Sequence, residues 1–113
     1  MLLRVDVHEG PDHTLVSASG EIDASTAHLV ADAVTASLRS GERLVLLDFA
    51  EVTFIDSTGL GVLVKAHRTA ESTHAQFAVV HPTRHTRKLM RVLGLDQLLY
   101  VYDNPEQALS DSA

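Results

Sequence analysis

Cysteine is missing from all 113 residues, which excludes disulfide staples, thiol nucleophiles and thiolate metal sites. Tryptophan is missing as well, and aromatics make up only 4%, so a core must be assembled from Leu, Val, Ile and Ala. No apolar run approaches the roughly eighteen residues of a membrane span. The opening Met1-Leu2-Leu3-Arg4 meets a charge too early for a signal peptide, so a cytoplasmic protein with no membrane partner is expected. Basic residues are outnumbered, 9 Lys+Arg against 15 Asp+Glu, and a net charge of −6 disfavours direct contact with nucleic acid. Seven histidines would shift that −6 to +1 if all were protonated, so the surface potential is set to change below neutral pH. Cofactor and catalytic fingerprints are also lacking. Gly59-Leu60-Gly61 begins like a dinucleotide loop, but the third glycine is replaced by Val64. A nucleophile elbow needs glycine two residues before its serine, where Ile55 stands before Ser57. No catalytic residue, cofactor or metal is therefore expected, and the length suits one domain spanning residues 1–113.

What is present is a regular alternation of strand and helix patterns. Leu3, Val5 and Val7 alternate with Arg4, Asp6 and His8, the period of a strand with one wet face. Turn residues Gly10-Pro11-Asp12 lead to a second strand from Thr14 to Ser19, closed by Gly20, and the two are expected to form an antiparallel hairpin. Apolar residues at helical intervals from Ser25 to about Arg39 predict a first helix, with Gly41 at its C-cap. Leu44 to Phe49 reads as a central strand covered on both faces. A broadly buried second helix follows Asp56-Ser57-Thr58-Gly59, with Leu60, Leu63, Val64 and His67 as one stripe and Val62, Ala66 and Ala70 as another. Gln76 to Val80 is a short strand. A short third helix begins around Pro82, turns Thr86, Leu89, Met90 and Leu93 inward and stops at Gly94. Leu98 to Val101 adds a last strand, and Asn104-Pro105-Glu106 opens a terminal helix. The order ββαβαβαβα predicts an α/β fold: a small mixed sheet, mostly parallel with an antiparallel N-terminal edge strand, packed against about four helices.

In such a sheet both the first and second helices begin at the carboxyl edge of the strands, which brings Asp23 and Ser57 to one rim. Ser57 lies where the chain enters a helix, beside first-turn N–H groups that have no intrahelical partner, so a phosphate on its hydroxyl would be accommodated there. Two readings of Asp56-Ser57-Thr58-Gly59 stand at this point, a phosphoacceptor and a plain helix cap, and Asp23 divides in the same way. The repeated cations Arg84, Arg87, Lys88 and Arg91 read most simply as a solvated helix face, His81 and His85 as surface histidines, and His67 as a partly buried imidazole.

Five segments in this order tip the balance: Gly20-Glu21-Ile22-Asp23; Leu44-Val45-Leu46-Leu47-Asp48; Val52-Thr53-Phe54-Ile55-Asp56-Ser57-Thr58-Gly59-Leu60-Gly61; Leu93-Gly94-Leu95-Asp96; and Pro105-Glu106-Gln107-Ala108-Leu109. Together they resemble a bacterial anti-sigma factor antagonist of the STAS-domain family over nearly the whole chain. The resemblance implies a STAS-like domain that works by switching partners. Its unmodified form binds an anti-sigma factor with serine kinase activity and so frees a sigma factor. Phosphorylation of the serine after the aspartate, here Ser57, weakens that binding, and a serine phosphatase resets it. Thr58 stands where many members carry a second serine, and being β-branched and helical it is expected to be the less accessible hydroxyl. Asp23, Asp56, Thr58, Gly59, Leu60 and Gly61 are the expected partner-binding surface, with the glycines flattening it. The family also includes ligand-sensing or scaffold modules that bind lipid or nucleotide or belong to signalling and transport assemblies, which is the alternative reading. The oligomeric state is open between monomer and weak dimer.

Overall fold

A computed structural model describes residues 2–112. The alternating N-terminal segment forms β1 (Leu3–Glu9), which pairs antiparallel with β2 (Thr14–Ile22) from Leu3 opposite Gly20 to Glu9 opposite Thr14. β2 does not close at Gly20 but runs on to Ile22. Gly20 sits at φ +118°, and a Cβ there would collide with the Leu2 carbonyl oxygen, so glycine is what lets the two strands stay together at that point. Then come α1 (Ala27–Arg39), β3 (Leu44–Ile55), α2 (Ser57–Ser72), β4 (Gln76–Val80) and α3 (Arg84–Val92). A single 3₁₀ turn at Leu95–Gln97, β5 (Tyr100–Tyr102) and α4 (Pro105–Ser112) complete the chain.

The five strands lie in the order β1-β2-β3-β4-β5, with every pairing after the first parallel. Alternate residues of β3 therefore feed two cores. Val45 and Leu47 face the larger one, with Val30 and Val34 of α1, Leu60 and Leu63 of α2 and Met90 of α3. Leu44 and Leu46 face the smaller one, beneath Ala108 and Leu109 of α4. Among the described residues no helix is long and apolar enough to cross a membrane.

Four further boundaries differ from the sequence expectation. α1 begins at Ala27 instead of Ser25, because residues 23–26 are held in a turn described below. β3 is twice as long as the apolar run that announced it. Its buried positions after Phe49 are Val52 and Ile55, a spacing of three produced by two irregularities in its pairing with β2. α3 starts after Thr83, whose hydroxyl accepts from the Thr86 N–H at 3.0 Å, so Pro82 precedes the helix. Leu93 ends α3 55% exposed instead of facing inward, and Leu98 likewise lies outside β5, which begins two residues later.

Candidate functional site

β3 outruns β4. It pairs with β4 only from Leu44 to Asp48, but with β2 all the way to Ile55 opposite Ile22. The β2–β3 tip thus projects past the rest of the sheet, and the next residue on each strand, Asp23 and Asp56, is carried to the same rim. The Asp56 N–H donates to the Ile22 carbonyl at 3.2 Å, which locks the two exits together. Neighbouring strands run about 4.8 Å apart, so the helix starts that follow are held as close neighbours.

Asp56 is the N-cap of α2. Its backbone is extended, and its Oδ1 accepts from the Gly59 N–H at 3.1 Å. That satisfies the third amide of the helix and leaves those of Ser57 and Thr58 with no carbonyl one turn back. Ser57 is the first residue of the helix, and its side chain is exposed. Thr58, the second residue of the helix, is exposed as well.

The surface expected downstream is corrected. Leu60 is 2% exposed and belongs to the larger core. Gly59 is buried as well: a Cβ there would lie 2.6 Å from Ile55 Cγ1 and 2.8 Å from Ile22 Cγ2. Gly59 lets α2 sit down on the strand tips instead of flattening a docking face, and neither residue can touch a partner in this conformation. Gly61, by contrast, faces open space. Helical periodicity accounts for this, since Leu60 shares its stripe with buried Leu63 and His67.

Asp23 organises the start of α1 without being its cap. Its Oδ1 accepts from the Ser25 N–H at 2.9 Å and the Ser25 hydroxyl at 2.7 Å, with Thr26 Oγ1 at 3.3 Å. Thr26, the residue at the cap position, gives its hydroxyl to the Glu21 carbonyl at 2.7 Å. The Ser25 hydroxyl and amide bonds hold the Asp23 carboxyl below its ordinary 3.8, so the group stays ionised at the rim.

The acids expected at this rim are joined by Glu51, and the structure adds what the sequence reading missed: they lack counter-ions. No Lys or Arg occurs between Arg4 and Arg39 or between Arg43 and Lys65. Glu21, Asp23, Glu51 and Asp56 make no ion pair among the described residues. Phe54, next to last in β3, is 43% exposed. The signal was available as a stretch of chain without cations. At the far side of β3, Asp48 Oδ1 meets His81 Nδ1 at 3.0 Å, with His81 in the left-handed region at φ 51°. His85 lies on the exposed first turn of α3, and no cluster of three metal-ligating side chains occurs among the described residues. His67 is buried, with its Nε2 3.6 Å from Glu71 and its ring against Tyr100.

A family model described as Mlab, STAS domain matches residues 5–100. The chain belongs to the STAS family. This STAS chain is 28% identical to an anti-sigma-B factor antagonist of Listeria monocytogenes over 102 residues, 89% of the chain and 90% of the relative. Its fold matches the crystal structure of an anti-sigma factor antagonist from Mycobacterium paratuberculosis with a TM-score of 0.87 at 27% identity, covering 97% of this chain and 93% of that one. The unphosphorylated anti-sigma factor antagonist SpoIIAA shares the fold alone, with a TM-score of 0.78 at 16% identity and 96% of each chain covered. The STAS fold is what places Asp56 and Ser57 at the projecting strand tip.

Proposed function

We propose that this STAS chain is an anti-sigma factor antagonist of the cytoplasm. Its unphosphorylated form binds an anti-sigma factor that is also a serine kinase, and phosphorylation of Ser57 weakens the complex. The observation that carries the reading is the exposed Ser57 at the first position of α2, beside its N-cap Asp56 and within an uncompensated acidic rim. The names of the relatives support it. Ser57 is the acceptor, Thr58, Gly61 and Phe54 offer contact area, and Asp23 and Asp56 shape the turn on either side. A serine phosphatase would return the protein to its binding form.

The switch needs no change of fold. A phosphoryl group adds about −1.5 to −2 charges at neutral pH. The free N–H groups and dipole of α2 offset part of that in the uncomplexed protein, by about 0.3 to 1 kcal/mol. Covering the group with a partner strips its water beside carboxylates that already lack counter-ions. Like charges about 4 Å apart repel by ~1 kcal/mol in water and ~4 kcal/mol at intermediate dielectric, and each 1.4 kcal/mol or so is tenfold in affinity. Incubating the protein with ATP and each anti-sigma kinase of the same genome, then mapping the product by mass spectrometry, tests the assignment. One phosphoryl group on Ser57, absent from Ser57→Ala, is expected, and modification confined to Thr58 would refute it.

A ligand-sensing role is favoured by one feature, an open cleft of about 680 Å³ at the amino edge of the sheet, lined by Asp12, Arg43, Leu44, His74, Gln76 and Leu109. Native mass spectrometry after detergent-free purification separates the readings: stoichiometric co-purified lipid or nucleotide supports ligand sensing, and a bare protein supports the switch.

A further inference from the structure

Residues 84–100 concentrate two features that the Ser57 rim does not use. Four of the chain's 9 Lys and Arg residues, Arg84, Arg87, Lys88 and Arg91, lie on α3, which contains no acid. Removing those four charges leaves −10 on the rest of the molecule. The same stretch holds Val92 at 72%, Leu93 at 55%, Leu98 at 40% and Tyr100 at 46% exposure, half of the large apolar side chains exposed among the described residues. Arg87 is engaged by Asp103, but Arg84, Lys88 and Arg91 make no ion pair among the described residues. A solvated face accounts for the cations. It does not account for four protruding apolar side chains gathered where the cations end.

Arg84, Lys88 and Arg91 are four and three residues apart, so they line up along one side of α3, opposite buried Thr86 and Met90. Val92 and Leu93 follow at the C-terminal end of the helix, Leu98 comes next along the chain, and Tyr100, its ring against His67 of α2, opens β5, the short edge strand of the sheet. The result is a narrow basic stripe about 10 Å long, leading into exposed aliphatic side chains. Its width is that of one facing helix or extended segment. A planar anionic membrane would engage cations spread over an area, and here Asp103 pairs with Arg87 and Asp96 shares a small cleft with Arg87 and Arg91.

We infer that the α3 stripe and the apolar patch at its end form a second docking surface, for a protein segment that carries carboxylates in register with Arg84, Lys88 and Arg91 and aliphatic side chains against Val92, Leu93 and Leu98. The surface is independent of Ser57, so it holds its occupant in either phosphorylation state and tethers the protein while the rim switches.

The test uses the full chain, ¹⁵N-labelled, and three probes: an amphipathic Glu/Leu helical peptide of about 18 residues, a Glu/Ser peptide of equal charge, and phosphatidylcholine vesicles with about one-third phosphatidylglycerol. The Glu/Leu peptide is expected to shift resonances of residues 84–100, to bind at least about tenfold tighter than Glu/Ser, and to weaken as salt rises from about 50 to about 300 mM. Arg84→Glu/Lys88→Glu/Arg91→Glu should abolish binding. Val92→Ser/Leu93→Ser, which alters only exposed side chains, should reduce it to the Glu/Ser level. Phosphorylated and unphosphorylated protein should bind alike. Equal affinity for the two peptides, shifts centred elsewhere, or preference for the vesicles would overturn the inference. So would concentration-dependent self-association abolished by the triple variant, which would make a second copy of the chain the occupant.

Discussion

Asp56, the cap of α2, and Ser57, the proposed acceptor, can be separated by substitution, the first through stability and the second through partner binding. Asp56 holds the Gly59 amide, so Asp56→Ala should lower unfolding free energy by about 1 kcal/mol, within the 0.5 to 2 kcal/mol typical of a lost cap. Ser57→Ala removes an exposed hydroxyl with no partner among the described residues and should leave the urea midpoint nearly unchanged. The two nearby glycines should respond with opposite signs. Gly61→Ala meets open space inside a helix and should stabilise by about 0.5 to 1 kcal/mol. Gly59→Ala drives a methyl group into Ile55 and Ile22 and should destabilise by about 1 to 3 kcal/mol, read as a lower denaturation midpoint at constant slope. These residues also show how far sequence reading reached. The cap and the exposed serine were legible because helix starts are governed by local hydrogen bonding. The inward direction of Gly59 and Leu60 depends on which side of α2 meets the strand tips, which a motif read as a linear contact surface does not encode.

Among the elements, those with one clean period were legible and those with mixed periods were not. β4 stands where its apolar run placed it, and the terminal helix opens on Asn104 and Pro105 as expected, with Asn104 Oδ1 accepting from the Gln107 N–H at 2.9 Å. β3 was cut short at Phe49 because its irregular pairing replaces the alternation of a strand with a spacing of three. β5 was misplaced because Leu98 and Leu99 are as apolar as the strand that follows them, while only its pairing with Ala78 to Val80 defines it. α4 closes the smaller core and is tied back to β5 by a hydrogen bond from the Tyr102 hydroxyl to Asp111. Burial first, then that carboxylate, push the Tyr102 hydroxyl from 10.0 up to about 12. The folded state therefore keeps the phenolic proton that the unfolded chain has lost. This contribution is complete below pH 10.0 and disappears as the pH climbs towards about 12. Stability measured across that window should decline in the parent protein, and Tyr102→Phe should remove this part of the decline.

Across the whole molecule, charge is segregated along the chain. The projecting β2–β3 tip carries carboxylates without counter-ions, while α3 carries cations without acids. The fold class and the order of elements were readable because alternating strand and helix patterns leave few ways to cover one sheet. The rim that Asp23 shares with Ser57 was readable on the same ground, but Glu51's place beside it was not, because it depends on β3 running on to Ile55 in register with β2. In the proposed Ser57 switch this segregation sets the direction, since an added phosphate would enter a surface already short of positive charge. The most direct measurement is calorimetric titration of the partner anti-sigma kinase with unphosphorylated and Ser57-phosphorylated protein under identical salt. A loss of at least about tenfold in affinity on phosphorylation, reproduced in direction by Ser57→Asp and absent for Ser57→Ala, is the expected result. Equal affinity of the two forms would contradict the account.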